Sequence, residues 1–153
     1  MRVKDLMSQP VFTCHLSQPV QAAAQLMWEH DCGIVPVVDN DAHLVGVITD
    51  RDICMAALFR NQPLTDIQIS SVMANDVSTC RPDDPLIDAE HLMSVRQLHR
   101  LPVVNDTGTP MGLLSLSDVA RRVRQSNGSK NSGASDFIET IGAISEPHQV
   151  AAN

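Results

Sequence analysis

The alternation of apolar and polar positions along the chain predicts short strands and helices that follow one another. In the first half, apolar residues recur at helical spacing over 18–30, which favours a helix with one buried face. Two continuous apolar runs separated by a polar turn then predict a pair of strands. The predicted elements are a helical turn at 3–7, an extended segment at 11–14, a helix at 18–30, strands at 34–38 and 44–49, and a helix at 50–59.

The second half of the chain repeats this pattern in the same order. Its predicted elements are an extended segment at 77–80, a helix at 84–96, strands at 101–104 and 111–115, and a helix that ends near 123. Matched residues lie 66 positions apart (73 − 7 = 66), without insertion or deletion. They include Met7 and Met73, Pro19 and Pro85, Pro36 and Pro102, Gly46 and Gly112, and Asp52 and Asp118. This period is too long for a solenoid unit and too short for two ordinary domains, so we expect two half-domains that bury their apolar faces against each other.

These patterns divide the chain into four parts. We expect a first repeat at 1–60, a linker at 61–68, a second repeat at 69–124, and a flexible linker with a short amphipathic tail helix at 125–153. Asp136 with Glu139 predicts a capping pair at the start of this helix. Its apolar stripe consists of Phe137, Ile138, Ile141 and Ile144. Because so short a helix is not stable alone, it either docks on the body of the protein or on a second copy, or remains largely disordered.

Composition narrows the class of protein. With 153 residues, 43% of them hydrophobic, the chain is long enough to bury one sizeable core. Its formal net charge of −7 argues against sequence-independent binding of nucleic acid, which needs Lys and Arg to neutralise phosphates. No stretch approaches the roughly 18 apolar residues of a membrane span, and the N-terminus carries no apolar signal core. We therefore expect a cytoplasmic protein.

Catalytic and metal-binding patterns find little support. Cys14, Cys32, Cys54 and Cys80 form no Cys-x-x-Cys pair and have no His at the spacing of a zinc knuckle, so we expect structural core cysteines. The chain has no nucleophile elbow, zinc-binding His pair or Walker glycine loop. We therefore expect no enzyme activity, no catalytic residues and no metal site, and a small hydrolase or metal enzyme is the least favoured alternative. The histidines are expected at the surface, and Trp28 is expected to pack against other residues.

The strongest local signal is a hydroxyl residue followed three positions later by a carboxylate, at the start of the second helix of each repeat. The pairs are Thr49 with Asp52 and Ser115 with Asp118, each after a glycine-led apolar strand. One interpretation is a helix N-cap, with the carboxylate near the positive end of the helix dipole. The other is a nucleotide site, because such a carboxylate can accept hydrogen bonds from a ribose diol. The two interpretations are compatible.

A basic doublet, His99 and Arg100, lies between the long helix and the Pro-Val-Val strand of the second repeat. Arg is suited to bidentate contact with phosphate, and His adds charge near neutral pH. The alternative is an exposed pair on a loop. The matched positions in the first repeat are Gly33 and Ile34, so the repeat is asymmetric in its candidate phosphate contacts.

Together, the paired Met near the start, the Pro-Val-Val strand and the Gly-x-x-[Thr/Ser]-x-x-Asp motif resemble a tandem pair of cystathionine-β-synthase (CBS) domains, a Bateman module. The resemblance covers 3–124 and is specific because it is doubled. The second repeat is similar to repeats in the regulatory gamma subunit of AMP-activated protein kinase. The resemblance implies an α/β fold in which two β-α-β-β-α repeats pack with pseudo-twofold symmetry through their sheets.

The resemblance also implies a set of nucleotide-binding residues. Asp52 and Asp118 hold the ribose hydroxyls, Thr49 and Ser115 lie beside ribose and phosphate, and His99 and Arg100 approach phosphates. Early-strand residues of the type of Thr13 and Thr79 line the pocket, and Val35 and Leu101 contact the base.

The function that follows is a stand-alone regulatory protein, expected to bind adenine nucleotides in one or two clefts between the repeats and to signal to an unidentified partner. AMP, ADP or ATP is expected before S-adenosylmethionine, because the basic doublet favours phosphate. No cofactor is required, and family members often pair as homodimers. The alternative is a ligand-free assembly module in which the motif only caps a helix.

Overall fold

A computed structural model of the chain describes residues 1–125 and 134–145, and it confirms the α/β fold with strands and helices in the predicted order. Each half begins with a 3-10 helix, at Val3–Asp5 and Ile69–Ser71. The first half contains β1 (Cys14–His15), α1 (Val20–His30), β2 (Ile34–Val38), β3 (Leu44–Thr49) and α2 (Asp50–Arg60). The second half contains α3 (Leu86–Arg96), β4 (Arg100–Val104), β5 (Pro110–Ser115) and α4 (Leu116–Gln125), and α5 (Ala134–Ile144) follows. In these described ranges, no helix has the length and apolar character to cross a membrane.

The strands form two small sheets within the described residues. The first has the order β1-β2-β3, with β1 parallel to β2 and β2 antiparallel to β3, and the second pairs β4 with β5. The early extended segments are shorter than predicted. Of the segment predicted at 11–14 only Cys14 lies in a strand, β1, and in the second segment Cys80 makes a single bridge to Val103. An apolar run becomes a strand only where a neighbouring backbone offers partners, and Phe12 and Thr13 remain exposed.

The chain divides into two compact units that cut across the repeats. Unit 2 consists of Pro10–Ser78 and Val104–Met111. Its core includes Val20 and Ala23 of α1, Val35 of β2 and Ile48 of β3. Part of the expected linker at 61–68 also enters this core, because Ile67 is buried and its carbonyl accepts a hydrogen bond from the Val20 N–H at 2.8 Å.

Unit 1 consists of Met1–Gln9, Thr79–Val103 and the described residues from Gly112 onward. Its core residues are Val3, Cys80, Ala89, Met93, Leu101, Val103, Leu114 and Ile144. The tail helix α5 docks on this unit, against α3 and α4. Ile144 enters the core, and the Gln97 side-chain amide donates a hydrogen bond to the Ala143 carbonyl at 3.3 Å. Much of the predicted flexible linker, at 126–133, lies outside the described residues.

A recurrent close contact explains why glycine occurs in the same place in both repeats. A Cβ atom added to Gly46 would lie 2.8 Å from the Met73 Sδ and 2.9 Å from the Ala74 carbonyl oxygen. One added to Gly112 would lie 3.0 Å from both the Met7 Sδ and the Ser8 carbonyl oxygen. Backbone bridges Val47–Ala74 and Ser8–Leu113 bind the same segments to β3 and β5. Glycine is thus needed for the chain to approach each strand closely.

The four cysteines differ in burial, although the sequence predicts that all of them lie in the core. Cys14 and Cys80 are buried core residues, but Cys32 is half-buried and Cys54 is exposed, so the prediction of four core cysteines is wrong for Cys54. Within the part of the chain that the structure describes, the four cysteines form no disulfide. Burial, with a smaller effect of Cys32, raises the pKa of Cys14 from 9.0 to about 11. Burial, with a smaller effect of Asp84, raises the pKa of Cys80 from 9.0 to about 12.

We expect Gly46→Ala to lower the free energy of unfolding by about 1 to 3 kcal/mol, because the added methyl group collides with a backbone oxygen that is held in a bridge. Gly142→Ala is the matched control, since nothing lies within 4 Å of a Cβ atom at that helical position. Its higher helix propensity should stabilise the protein by up to about 1 kcal/mol. Urea denaturation of both variants measures the difference, and equal effects would contradict this account of Gly46.

Thiol labelling at pH 8 should modify Cys54 first, Cys32 next, and Cys14 and Cys80 only upon unfolding, because the thiolate is the reactive form. Cys54→Ser, the control, should remove the fast phase. The raised pKa values also predict a pH dependence. The stability from the buried neutral thiols is fully present below pH 9, where the unfolded thiols are also protonated. It declines as the pH rises through the folded values, about 11 for Cys14 and about 12 for Cys80. Rapid labelling of all four thiols in the folded protein would contradict the burial of two.

Candidate functional site

In unit 2, the candidate carboxylate lies where β3 ends and α2 begins. Asp52 Oδ2 accepts hydrogen bonds from the Thr49 N–H at 2.8 Å and the Thr49 hydroxyl at 2.7 Å. The Asp52 N–H donates in return to Thr49 Oγ1 at 3.2 Å. This capping box confirms the predicted N-cap. It also holds a half-buried carboxylate at the positive end of a helix dipole.

In unit 1, Ser115 and Asp118 form the same reciprocal pair at the start of α4. Asp118 Oδ2 accepts from the Ser115 N–H at 2.8 Å and the Ser115 hydroxyl at 2.5 Å. The second oxygen of this carboxylate has partners as well. Asp118 Oδ1 accepts from the Ser8 hydroxyl at 3.0 Å and from the Arg121 guanidinium. With these contacts Asp118 is only 4% exposed.

Ser8 and Arg121 are therefore site residues that the sequence analysis missed. The signal was present in the 66-residue register, where Ser8 corresponds to Ala74 and Arg121 to Met55. In each pair the residue near Asp118 has a hydrogen-bond donor, and its counterpart in the other repeat has an apolar side chain.

The other predicted residues are distributed between the units. Thr13, Val35, Thr49 and Asp52 belong to unit 2, and Thr79, His99, Arg100, Leu101, Ser115 and Asp118 belong to unit 1. Thr13 is exposed, whereas Thr79 is half-buried. The side chains of Val35 and Leu101 are fully buried in the cores of their units. This gives the two residues a packing role, and their contact with a base stays a prediction.

The basic doublet lies at the same strand–helix end of unit 1 as the Ser115 motif. Its two side chains are exposed. The His99 carbonyl accepts a hydrogen bond from the Leu116 N–H at 3.1 Å, which joins the start of β4 to the start of α4. In unit 2 the Gly33 carbonyl accepts from the Asp50 N–H at 3.3 Å. The backbone arrangement is thus repeated, while Gly33 and Ile34 take the place of the basic doublet in unit 2.

A further group of possible metal ligands, Asp39, Asp41 and His43, lies in the turn between β2 and β3. Asp39 Oδ1 already accepts from the backbone N–H groups of His43 and Asp41, and these bonds, that of His43 most strongly, hold the pKa of Asp39 below its usual value. The repeat-equivalent Asn105 accepts from the N–H groups of Thr107 and Thr109 with a neutral side chain. Both repeats thus use this side chain to stabilise a turn, and the turn explains the position of Asp39 without a metal ion.

Two of the remaining predictions concern single side chains. His30 is exposed, as expected, and its ring stacks on Phe12 with 3.4 Å between ring centroids. Trp28 is 88% exposed on α1, so the expectation that it packs against other residues is wrong within the described chain. Helical periodicity shows which positions share a face, and it does not show whether another element covers that face.

Comparison with known proteins agrees with this architecture. The chain matches the CBS domain family over residues 3–58 and 69–125. It is 36% identical over 118 residues to the CBS domain-containing protein YhcV of Bacillus subtilis (strain 168), covering 77% of this chain and 82% of the relative. It also matches longer enzymes, such as a homoserine O-acetyltransferase of Methanohalobium evestigatum, of which it spans 24%.

Two solved structures are similar and contain ligands. The CBS domain pair of protein MJ0100, in complex with 5′-methylthioadenosine and S-adenosyl-L-methionine, has a TM-score of 0.72 and 30% identity, covering 79% of this chain and 94% of that one. CBSX2 in complex with AMP has a TM-score of 0.70 and 28% identity, covering 81% and 96%. With both repeats matched, this chain belongs to the CBS domain family and carries a tandem CBS pair, a Bateman module.

Proposed function

We propose that this protein is a regulatory module that binds adenine nucleotides, AMP, ADP or ATP, at the strand–helix junctions of its CBS domains. The observation that carries the proposal is the Thr49–Asp52 junction. There a half-buried carboxylate is held rigidly at a helix N-terminus, with one oxygen capping the helix. Similar CBS pairs with AMP, and with 5′-methylthioadenosine and S-adenosyl-L-methionine, support an adenosine-containing ligand.

In unit 1, a preference for phosphorylated nucleotides follows from the basic doublet. His99 and Arg100 are exposed at the start of β4, and the chain as a whole carries a net charge of −7. Arg100 is suited to an anionic ligand, because its planar guanidinium can bind two phosphate oxygens. S-adenosylmethionine lacks phosphate and offers one carboxylate beside two positive charges, so it gains less from this doublet.

Nucleotide binding regulates only if the ligand favours one conformation or assembly over another. A ligand shifts such an equilibrium by its difference in affinity for the two states. We therefore propose that the signal passes to a partner through a change in conformation or oligomeric state. The family resemblance, together with the lack of recognised catalytic motifs, favours this role over catalysis.

An exposed apolar stripe on α2 favours assembly as a second candidate function. Met55, Leu58 and Phe59 follow helical spacing, and Leu58 and Phe59 are 66% and 77% exposed. The repeat-equivalent residues on α4 are Arg121, Arg124 and Gln125. Large apolar side chains at helical spacing on a surface are typical of interaction sites. We propose that a second copy of the chain covers the stripe in a homodimer.

Calorimetric titration of the purified apo protein should show binding of AMP, ADP or ATP. The variant Asp52→Asn, which keeps the shape of the side chain and removes its charge, should lower the affinity for these nucleotides by roughly tenfold or more, since a hydrogen bond to a charged group contributes about 1.5 to 3 kcal/mol. Asp50→Asn, at an exposed position in the same first turn of α2, is the control and should change the affinity much less. Absence of binding for all nucleotides would reject the sensor proposal.

The variant Leu58→Arg/Phe59→Gln introduces the residues of α4 into α2 and should convert a dimer into a monomer, because it replaces the apolar contact with solvated side chains. Light scattering coupled to size exclusion measures the mass. Ile87→Gln, a control at an exposed apolar position on α3, should remain dimeric. A wild-type chain that is monomeric at all concentrations would contradict the assembly proposal.

A further inference from the structure

We infer, resting on the proposed nucleotide binding, that the two CBS domains of this chain are unequal: Asp52 is open to a ribose, whereas Ser8 and Arg121 occupy the carboxylate of Asp118. The chain would then hold one nucleotide through the Thr49 motif. In the second motif, groups of the protein itself fill the hydrogen-bond acceptor positions of Asp118.

The first step is a count of acceptor positions at Asp118. An ionised carboxylate has about four lone-pair positions. The Ser115 N–H and hydroxyl use those of Oδ2, at 2.8 and 2.5 Å. The Ser8 hydroxyl, at 3.0 Å, and the Arg121 guanidinium use those of Oδ1. All four positions are therefore filled, and the side chain is 3% exposed.

The same count at Asp52 gives a different result. Thr49 fills the positions of Oδ2, as Ser115 does in the other domain. Among the described residues, none donates a hydrogen bond to Asp52 Oδ1. The positions that correspond to Ser8 and Arg121 hold Ala74 and Met55, whose side chains have no N–H or O–H group. Oδ1 is consequently left with two lone pairs for a solvent molecule or a ligand.

A ribose diol carries two hydroxyl donors, and it binds where a carboxylate offers two acceptor positions. Asp52 meets this requirement without rearrangement. At Asp118 the diol would have to displace both Ser8 and Arg121. Arg121 lies one helical turn beyond Asp118, so its guanidinium is held close to the carboxylate by the helix itself.

The Arg121 side chain is 63% exposed, and its ion pair with Asp118 holds its guanidinium in place. Arg121 therefore competes with the ribose for Asp118, and a substitution that removes its guanidinium tests this directly. Replacement by Met, the residue of the first repeat, together with Ser8→Ala, recreates the surroundings of Asp52 around Asp118 by two substitutions.

The experiment is titration calorimetry with AMP on the full chain and three variants, with circular dichroism to verify folding. Wild type should bind one nucleotide per chain. Asp52→Asn should lower the affinity by roughly tenfold or more, as expected for a charge-assisted hydrogen bond. Asp118→Asn should lower the affinity less and lower the melting temperature more, because it disrupts three protein partners. Ser8→Ala/Arg121→Met should raise the stoichiometry to two.

The outcomes separate this inference from the proposed function. If wild type binds AMP and Asp118→Asn weakens binding as much as Asp52→Asn or more, the inference is wrong while the proposed function stands. A Ser8→Ala/Arg121→Met variant that binds one nucleotide also overturns it, and this readout remains if Asp118→Asn fails to fold. If wild type binds no nucleotide, the proposed function itself is rejected.

Discussion

The reciprocal capping of α2 and α4 is the interaction on which the proposed chemistry depends. A helix N-terminus presents unpaired N–H groups, and Thr49 with Asp52, or Ser115 with Asp118, satisfies part of them. The capping bonds use one carboxylate oxygen and set the direction of the other. A side chain that would be mobile on a loop is thereby held rigidly at the positive end of a dipole. Capping and ligand binding are thus two uses of one carboxylate, divided between its two oxygens.

The close approach at the glycines connects this site to the fold. Gly112 lets the segment that contains Met7 and Ser8 lie against β5, and Ser8 then reaches the carboxylate that begins the next helix. In the other unit, Gly46 brings Met73 and Ala74 equally close to β3. The backbone bridges the same sequence position, Ser8 or Ala74, to the strand that precedes each carboxylate. Whether that position bears a hydroxyl or a methyl group then decides how much of the carboxylate remains free.

The tail shows where sequence periodicity was sufficient and where it was not. The apolar stripe of α5 predicted a helix but left open whether it docks or remains disordered, and in the structure Ile144 lies in the core of unit 1. Ile138 belongs to the same predicted stripe yet is 71% exposed. A short helix can bury only part of its surface against α3 and α4, and hydrophobicity alone does not identify that part. The exposed Trp28 has the same explanation, because burial depends on a neighbouring element and not on the residue.

The sequence by itself determined the order of strands and helices, the 66-residue register, the family and the capping residues, because these depend on local propensity and on short-range spacing. It also indicated that the two repeats differ in their positive charge, through His99 and Arg100. The tertiary structure alone decided which side chains surround each carboxylate. Ser8 is 110 residues from Asp118 in the chain, and only folding brings their oxygens to 3.0 Å. A long-range contact of this kind leaves no periodic signal, so the unequal state of Asp52 and Asp118 became visible only when the chain was folded.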